Sequence, residues 1–384
     1  MIKRLRVRNY LSLKDVDLEL GKRNLLIGPN MAGKSNLVDC FKFLTQMCIS
    51  GLVKAFQDRN GFPEVVWKGG DESRISFRLT GEVSALEEES PRIYDYELSV
   101  IGSATGLVSV EREHLIVRAG NETSTLIDLR HGQGKVTHAN GDTVFNLPSP
   151  SQSALEFTVP GWEGTVVKDF ISRWHYYRLI PADMKRANAA VAQAFLSESG
   201  DNFSSWFMTL QGYSDEFRMI KQAAVDVLPG LEEILTPPTQ FATTYLTTRE
   251  KHLKQPISIW RMSDGELKFL ALLSVIFAPR ALGAPLYCIE EPENHLHPRL
   301  LETLVELLTQ RQNELGPRAA QIIATTHSPH LVDKVSLDEL VVVEKSNGAT
   351  RFTRPASKKG LKELLEKEEL GLGELWYSGA LSEN

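Results

Sequence analysis

Cysteine is scarce in this chain of 384 residues: Cys40, Cys48 and Cys288 are the only three. They show no metal-ligand spacing, and in a reducing compartment a disulfide between them is not expected, so the sequence predicts core thiols. Long hydrophobic runs are missing as well. No apolar stretch approaches the roughly 20 residues that cross a bilayer. Met1 leads straight into an alternating basic and apolar segment rather than a signal peptide, so a cytoplasmic protein with no membrane partner is expected. Charge of one sign is not in excess: 43 Lys and Arg stand against 49 Asp and Glu, a net charge of -6. That balance excludes a globally basic nucleic-acid binder but leaves room for a local positive groove. Neither a repeat of solenoid period nor a sustained heptad is present, which excludes long coiled-coil arms. With 42% hydrophobic and 24% charged residues, the composition is that of a globular chain with a well-buried core and room for two or three lobes.

The hydrophobic pattern changes period along the chain. Ile2, Leu5 and Val7, then Val16, Leu18 and Leu20, then the run Leu25-Leu26-Ile27 read as three strands, the last ending abruptly at Gly28. Leu37, Val38, Phe41 and Leu44 recur at helical spacing. From about Arg74 to Phe157 alternation predicts an antiparallel sheet, with turns at Gly132 to Gly134 and at Asn140-Gly141. Helices are expected from about Val166 to Leu228, among them Met184 to Leu196 and Ser214 to Leu228, the latter stopped by Pro229-Gly230. Strand character returns at Phe241 to Thr247 and Ile257 to Trp260, followed by apolar strands alternating with helices. The charged stretch Ser357 to Leu370 predicts an amphipathic helix with a solvated face. The expected organisation is an N-terminal lobe over 1–165, a helical insertion over 166–255 and a C-terminal lobe over 256–384.

Four motifs carry chemistry. Gly28-Pro29-Asn30-Met31-Ala32-Gly33-Lys34-Ser35 fits G-x-x-x-x-G-K-[ST] between a strand and a helix. In that setting backbone N–H groups cradle phosphates, Lys34 reaches the β- and γ-phosphates, Ser35 offers its hydroxyl to Mg²⁺, and Asn36 continues the binding segment. Leu286 to Ile289 delivers Glu290 and Glu291 at a strand end, and alternation turns the two side chains apart. Glu290 then suits the Mg²⁺ shell, and Glu291 the attacking water. Met262-Ser263-Asp264-Gly265-Glu266 opens an apolar helix running from Leu267 to about Ala278. Ser263 and Gly265 there form a second anion site or a plain N-cap. As an anion site it is redundant within one chain, so its ligand is expected on a second subunit. Ile322 to Thr325 leads to His327, a hydrogen-bonding sensor of the terminal phosphate.

The order of these motifs resembles the ABC-type ATPases, and within them the RecF/SMC-like and OLD-like branch, the nearest relatives being stand-alone predicted bacterial ATPases without a TOPRIM domain. The opening Ile2 to Tyr10, the run Leu25 to Asn30 and the segment Ile289 to Pro298 carry the likeness further. The resemblance implies a P-loop α/β core of ABC type with an antiparallel β lobe and an inserted helical lobe. It also implies ATP and Mg²⁺ as cofactors. By motif it assigns Glu290 to the metal, Glu291 and His327 with Lys34 to catalysis, and Ser263 with Gly265 to contacts across a homodimer. Asn294 to His297 falls at the D-loop, where His297 replaces the usual aspartate; Met31 and Asp264 also depart from the commonest pattern. His295, His297 and Glu293 could be mistaken for metal ligands, and Gln152 and Gln193 are Q-loop candidates without a motif.

These readings predict an ATP-driven dimerisation switch serving DNA repair, restriction or anti-phage defence. The 57 residues after His327 are too few for a nuclease domain, so a nuclease or toxin effector is expected as a separate partner. DNA contact is expected from Lys3, Arg4, Arg6 and Arg8, or from Arg249, Lys251 and Lys254, although a charged strand edge also resists aggregation. The alternative is the nucleotide-binding subunit of a membrane transporter. It is disfavoured by the 227 residues that separate Ser35 from Ser263.

Overall fold

The computed structural model describes residues 1–83, 92–137, 143–144, 147, 149–357 and 371–377. These fall into two compact units, one holding Met1–Trp174 and the segment from Asp338, the other holding His175–Leu337 with residues 371–377.

In the first unit the expected strands form as β1 (Ile2–Tyr10), β2 (Leu13–Glu19) and β3 (Arg23–Ile27), followed by α1 (Lys34–Ser50) and the short α2 (Leu52–Gln57) and α3 (Phe62–Val65). Strands β4 (Arg74–Val83), β5 (Arg92–Gly102), β6 (Val108–Ala119), β7 (Glu122–Arg130), β8 (Gln133–Thr137) and β9 (Thr143–Val144) complete an antiparallel sheet in the order β2-β1-β4-β5-β6-β7-β8-β9. Register follows the apolar alternation: Val7 lies opposite both Val16 and Phe77, which puts all three on the buried face. Helix α1 is buried on most sides, through Leu37, Val38, Phe41, Phe43, Leu44 and Met47. Phe43 stacks on Phe77 at 5.3 Å between centroids, with Tyr10 edge-on to both. Helix α4 (Gly164–Ser172) closes this stretch, and Trp174 packs edge-on to Phe41. Cys40, Cys48 and Cys288 are free, buried thiols, as expected.

The second unit opens with β10 (His175–Tyr177), α5 (Pro181–Met184) and β11 (Asn188–Ala189), then α6 (Phe203–Leu210) and α7 (Ser214–Val227). The helix predicted over Met184 to Leu196 does not form. Alanine-rich sequence favours it locally, but Asn188 pairs with Thr244 of β13 (Thr243–Thr244), and its side-chain oxygen accepts from the N–H groups of Ser204 and Ser205 at 3.0 and 3.2 Å. Tertiary pairing overrides propensity here. The remaining strands of this stretch, β12 (Leu231–Leu235), β14 (Thr247–Glu250) and β15 (Ile257–Ser258), make a small antiparallel sheet. The expected strands Phe241 to Thr247 and Ile257 to Trp260 are therefore broken, and the second ends in a 3-10 turn at Ile259–Arg261. Next come α8 (Asp264–Ile276), β16 (Leu286–Glu290), α9 (Pro298–Leu315), β17 (Gln321–Thr326) and α10 (Pro329–Val332). Strands β10, β16 and β17 run parallel; Leu286, Tyr287 and Cys288 of β16 and the whole of β17 are buried.

The chain then returns to the first unit. Strand β18 (Leu340–Ser346) runs parallel to β3, with Val341 opposite Leu26, and β19 (Ala349–Thr353) turns back antiparallel. The turn expected at Asn140-Gly141 and, beyond Ser357, the helix expected to Leu370 lie outside the described residues. Among the described residues no helix is long and apolar enough to cross a membrane.

Candidate functional site

The first unit carries the glycine loop as one object. Gly28 leaves β3 with φ +154, and a Cβ there would sit 2.1 Å from the Val343 carbonyl oxygen of β18, so only glycine fits. Gly33 has φ +108, and a Cβ would meet Thr350 Oγ1 at 2.0 Å. Met31, between them, is left-handed at φ +65 and exposed. Two hydroxyls brace the loop from behind. Thr350 Oγ1 donates to the Ala32 carbonyl at 2.8 Å and lies 2.6 Å from Ser12 Oγ, which accepts from Asn36 Nδ2 at 2.6 Å. Lys34 is nearly buried, and its ammonium donates to the Gly28 and Pro29 carbonyls at 2.7 and 3.0 Å. The first turn of α1 carries no acidic residue. A lysine folded back over a left-handed glycine, at the start of a 17-residue helix without competing carboxylates, fits a phosphate chain.

The second unit brings Glu290, Glu291 and His327 together. Strand β16 ends at Glu290, and Glu291 turns out of it at φ +47. Strand alternation therefore stops at Glu290, and a left-handed turn sets the backbone at Glu291. Three groups hold that turn. The Glu291 N–H donates to the Thr325 carbonyl at 3.0 Å, Lys268 Nζ donates to the Glu291 carbonyl at 2.7 Å, and the Asn294 N–H reaches the same carbonyl at 3.2 Å. The Glu291 carboxylate accepts from Asn294 Nδ2 at 2.6 Å, and its other oxygen lies 3.8 Å from His327 Nε2. His327 is placed through Glu293, whose Oε1 accepts from the His327 N–H at 2.8 Å and from Thr326 Oγ1 at 2.7 Å.

Ser263 caps α8. Its Oγ accepts from the Glu266 N–H at 3.2 Å while the Glu266 carboxylate accepts from the Ser263 N–H at 2.7 Å, a reciprocal capping box. A Cβ on Gly265 would come within 2.8 Å of the His295 carbonyl, which explains the glycine. Asp264 pairs with Lys185 at 2.7 Å, and that hydrogen bond holds its carboxyl below the usual range. His297 caps α9, its Nδ1 accepting from the Arg299 N–H at 3.3 Å, and His295 lies 3.8 Å from Asp264. Among the described residues no group of three His, Cys, Asp or Glu side chains, these histidines and Glu293 included, is placed to hold a metal ion. Gln193 bonds the Val191 carbonyl, whereas Gln152 Oε1 is buried without a hydrogen-bond partner among the described residues.

Several residues of these arrangements were not singled out from sequence. Ser12 and Thr350 are separated by most of the chain and gave no local signal. Lys268 did: it is the lone cation in the apolar run from Leu267 to Ile276, is 2% exposed, and burial pushes its ammonium down to about 8.

Residues 164–333 match the sequence family described as "AAA domain, putative AbiEii toxin, Type IV TA system". The matched stretch contains Ser263, Glu290, Glu291 and His327 but not the glycine loop. No curated protein sequence matches the chain. Among solved structures the chain is similar to an Smc head bound to the C-winged helix domain of ScpA, with 15% identity over 92% of this chain and 97% of that one, and a TM-score of 0.53. It is also similar to the SMC head domain from Thermotoga maritima (14% identity, 92% and 98% covered, TM-score 0.51). A third is an Smc head domain with an extended coiled coil bound to the C-terminal domain of ScpA, derived from Pyrococcus furiosus (13%, 95% and 99%, TM-score 0.57). The fold is that of the SMC heads, an ABC-type P-loop ATPase fold. Fold and family match together support a nucleotide-binding ATPase of the ABC/AAA type.

Proposed function

We propose that this protein hydrolyses ATP with Mg²⁺ and works as a nucleotide-driven dimerisation switch of the RecF/SMC-like and OLD-like kind. The observation that carries the reading is the Glu291 turn. A carboxylate is fixed at a strand end with a histidine 3.8 Å away, in a chain that also folds a braced phosphate loop. On this reading residues 28–36 hold the phosphates, and Lys34 exchanges its two loop carbonyls for phosphate oxygens. Ser35 and Glu290 would hold Mg²⁺, which when bound neutralises charge on the phosphates. Glu291 orients the attacking water and takes its proton, and His327 donates a hydrogen bond to the terminal phosphate. Ser263 and Gly265, at the positive end of α8, contact the nucleotide bound to a second copy. The Ser263 hydroxyl accepts within the capping box and keeps its own proton for a phosphate oxygen.

For the biological role we infer DNA repair, restriction or anti-phage defence in the cytoplasm, with a separate nuclease or toxin as effector. The family description supports a link to toxin systems, and two of the three SMC heads above are bound to a domain of ScpA. DNA is a candidate partner on this reading, but β1 is not its obvious contact. Lys3, Arg4, Arg6 and Arg8 are already paired with Glu82, Asp17 and Asp15, and Arg249 with Glu233.

The test is turnover and solution mass of the purified protein with Mg-ATP, beside Glu291→Gln, with and without double-stranded DNA. Turnover by wild type, a loss of about a hundredfold or more in the variant, and an ATP-bound dimer trapped by that variant are expected. No turnover and no dimer under any condition would remove the switch.

A further inference from the structure

Helix α8 touches the catalytic segment at more than its capped end. Positions 264, 265 and 268 share one helix face, and each meets the stretch from Glu291 to His295. Asp264 lies 3.8 Å from His295, Gly265 packs on the His295 carbonyl, and Lys268 donates to the Glu291 carbonyl. An ammonium with almost no exposure in an apolar helix is expensive to bury and needs a matching acceptor. Here the acceptor is the carbonyl of a non-glycine residue in the left-handed region, a conformation that persists only where its surroundings fix it. The N–H side of that turn is tied to Thr325 of β17, and the carbonyl side to Lys268. A second carboxylate, Glu293, faces the same ammonium, and its Oε2 is buried without a hydrogen-bond partner among the described residues.

We propose that Lys268 is a positioning residue for hydrolysis: it locks the left-handed turn of Glu291 and thereby ties the aim of the Glu291 carboxylate to the start of α8. The proposal rests on Glu291 being the water-orienting residue. Its consequence is that displacement of α8 at Ser263 is passed to Glu291 through one hydrogen bond. A second copy engaging Ser263 would thus adjust the carboxylate as well as contact the phosphate.

The experiment compares wild type, Glu291→Gln, Lys268→Met and Lys268→Arg for kcat, KM and equilibrium ATP affinity, with amide exchange of the Glu291–His295 segment measured on the same proteins. Lys268→Met is expected to lose about tenfold or more in kcat, the scale of a small misplacement of a catalytic group, with ATP affinity unchanged. Lys268→Arg should recover part of the loss, and exchange at Glu291 and Asn294 should speed up in Lys268→Met while α8 amides stay protected. Wild-type kcat in Lys268→Met, or a loss of ATP affinity in step with kcat and no rescue by arginine, would overturn the proposal. If Lys268→Met does not fold, Lys268→Gln replaces it under the same criteria. If wild type lacks turnover or Glu291→Gln keeps it, the reading of Glu291 has failed. The lock is then judged on exchange alone: faster exchange supports it and unchanged exchange refutes it.

Discussion

A glutamate at φ +47 and a glycine at φ +108 are the single residues on which the proposed chemistry of each unit rests. Gly33→Ala forces a side chain into the left-handed region and into Thr350 Oγ1. A stability loss of about 1–3 kcal/mol is expected by chemical denaturation, with ATP binding abolished in a fluorescence titration. Lys268 predicts a pH dependence. Its folded-state value of about 8 lies below the ordinary 10.5, so between those values the unfolded chain holds a proton that the folded one has released. Stability from this group therefore rises with pH across that window. Denaturation midpoints near pH 7.5 and near pH 10 should show wild type gaining on Lys268→Met as pH increases; a constant gap would refute the assignment.

At the scale of elements, helix ends are held by residues distant in sequence. Asn188 supplies the acceptor that α6 lacks at its own N-cap, Asn202, whose side chain makes no cap hydrogen bond. Asn188→Ala should cost about 1 kcal/mol, read as a shift in the denaturation midpoint, and leave ATP affinity unchanged. The glycine loop shows the same dependence on distant strands. Thr350→Val keeps the shape but removes the donor to the buried Ala32 carbonyl, and a loss of about 1–3 kcal/mol with weaker ATP binding is expected. Helix α8 combines both kinds of support. Its two buried polar side chains in the apolar stretch each have partners, Lys268 at Glu291 and Ser274 with the indole of Trp206 at 2.9 Å.

For the whole molecule, the dimer reading makes a complementation test. Lys34→Ala cannot hold phosphate, and Ser263→Arg blocks the α8 face offered to a second copy, so each protein alone should be inactive. Mixed, they can assemble one intact pair of surfaces, Lys34 from one copy and Ser263 from the other. Recovery of turnover in the mixture is expected; an inactive mixture would argue that Ser263 acts only as the cap of its own helix.

The sequence by itself determined the elements whose signals are local. Apolar alternation marked β1, β2, β4 and β5, because a strand with one buried face has only one register that hides its hydrophobic side chains, and the continuous apolar run Leu25 to Ile27 marked β3. Gly28 to Ser35 announced its loop because positive φ and close backbone approach demand glycine at defined spacings. Glu290, Glu291 and His327 were legible as residues at strand ends. Tertiary structure decided the rest. It dissolved the predicted helix at Met184 to Leu196 by pairing Asn188 with β13, and it set Thr350 and Ser12 behind the phosphate loop. It also turned Glu291 out of its strand and delivered the Lys268 ammonium to its carbonyl. Hydrogen bonds between residues far apart in the chain leave no periodicity and no motif, so only the folded chain shows which polar groups meet.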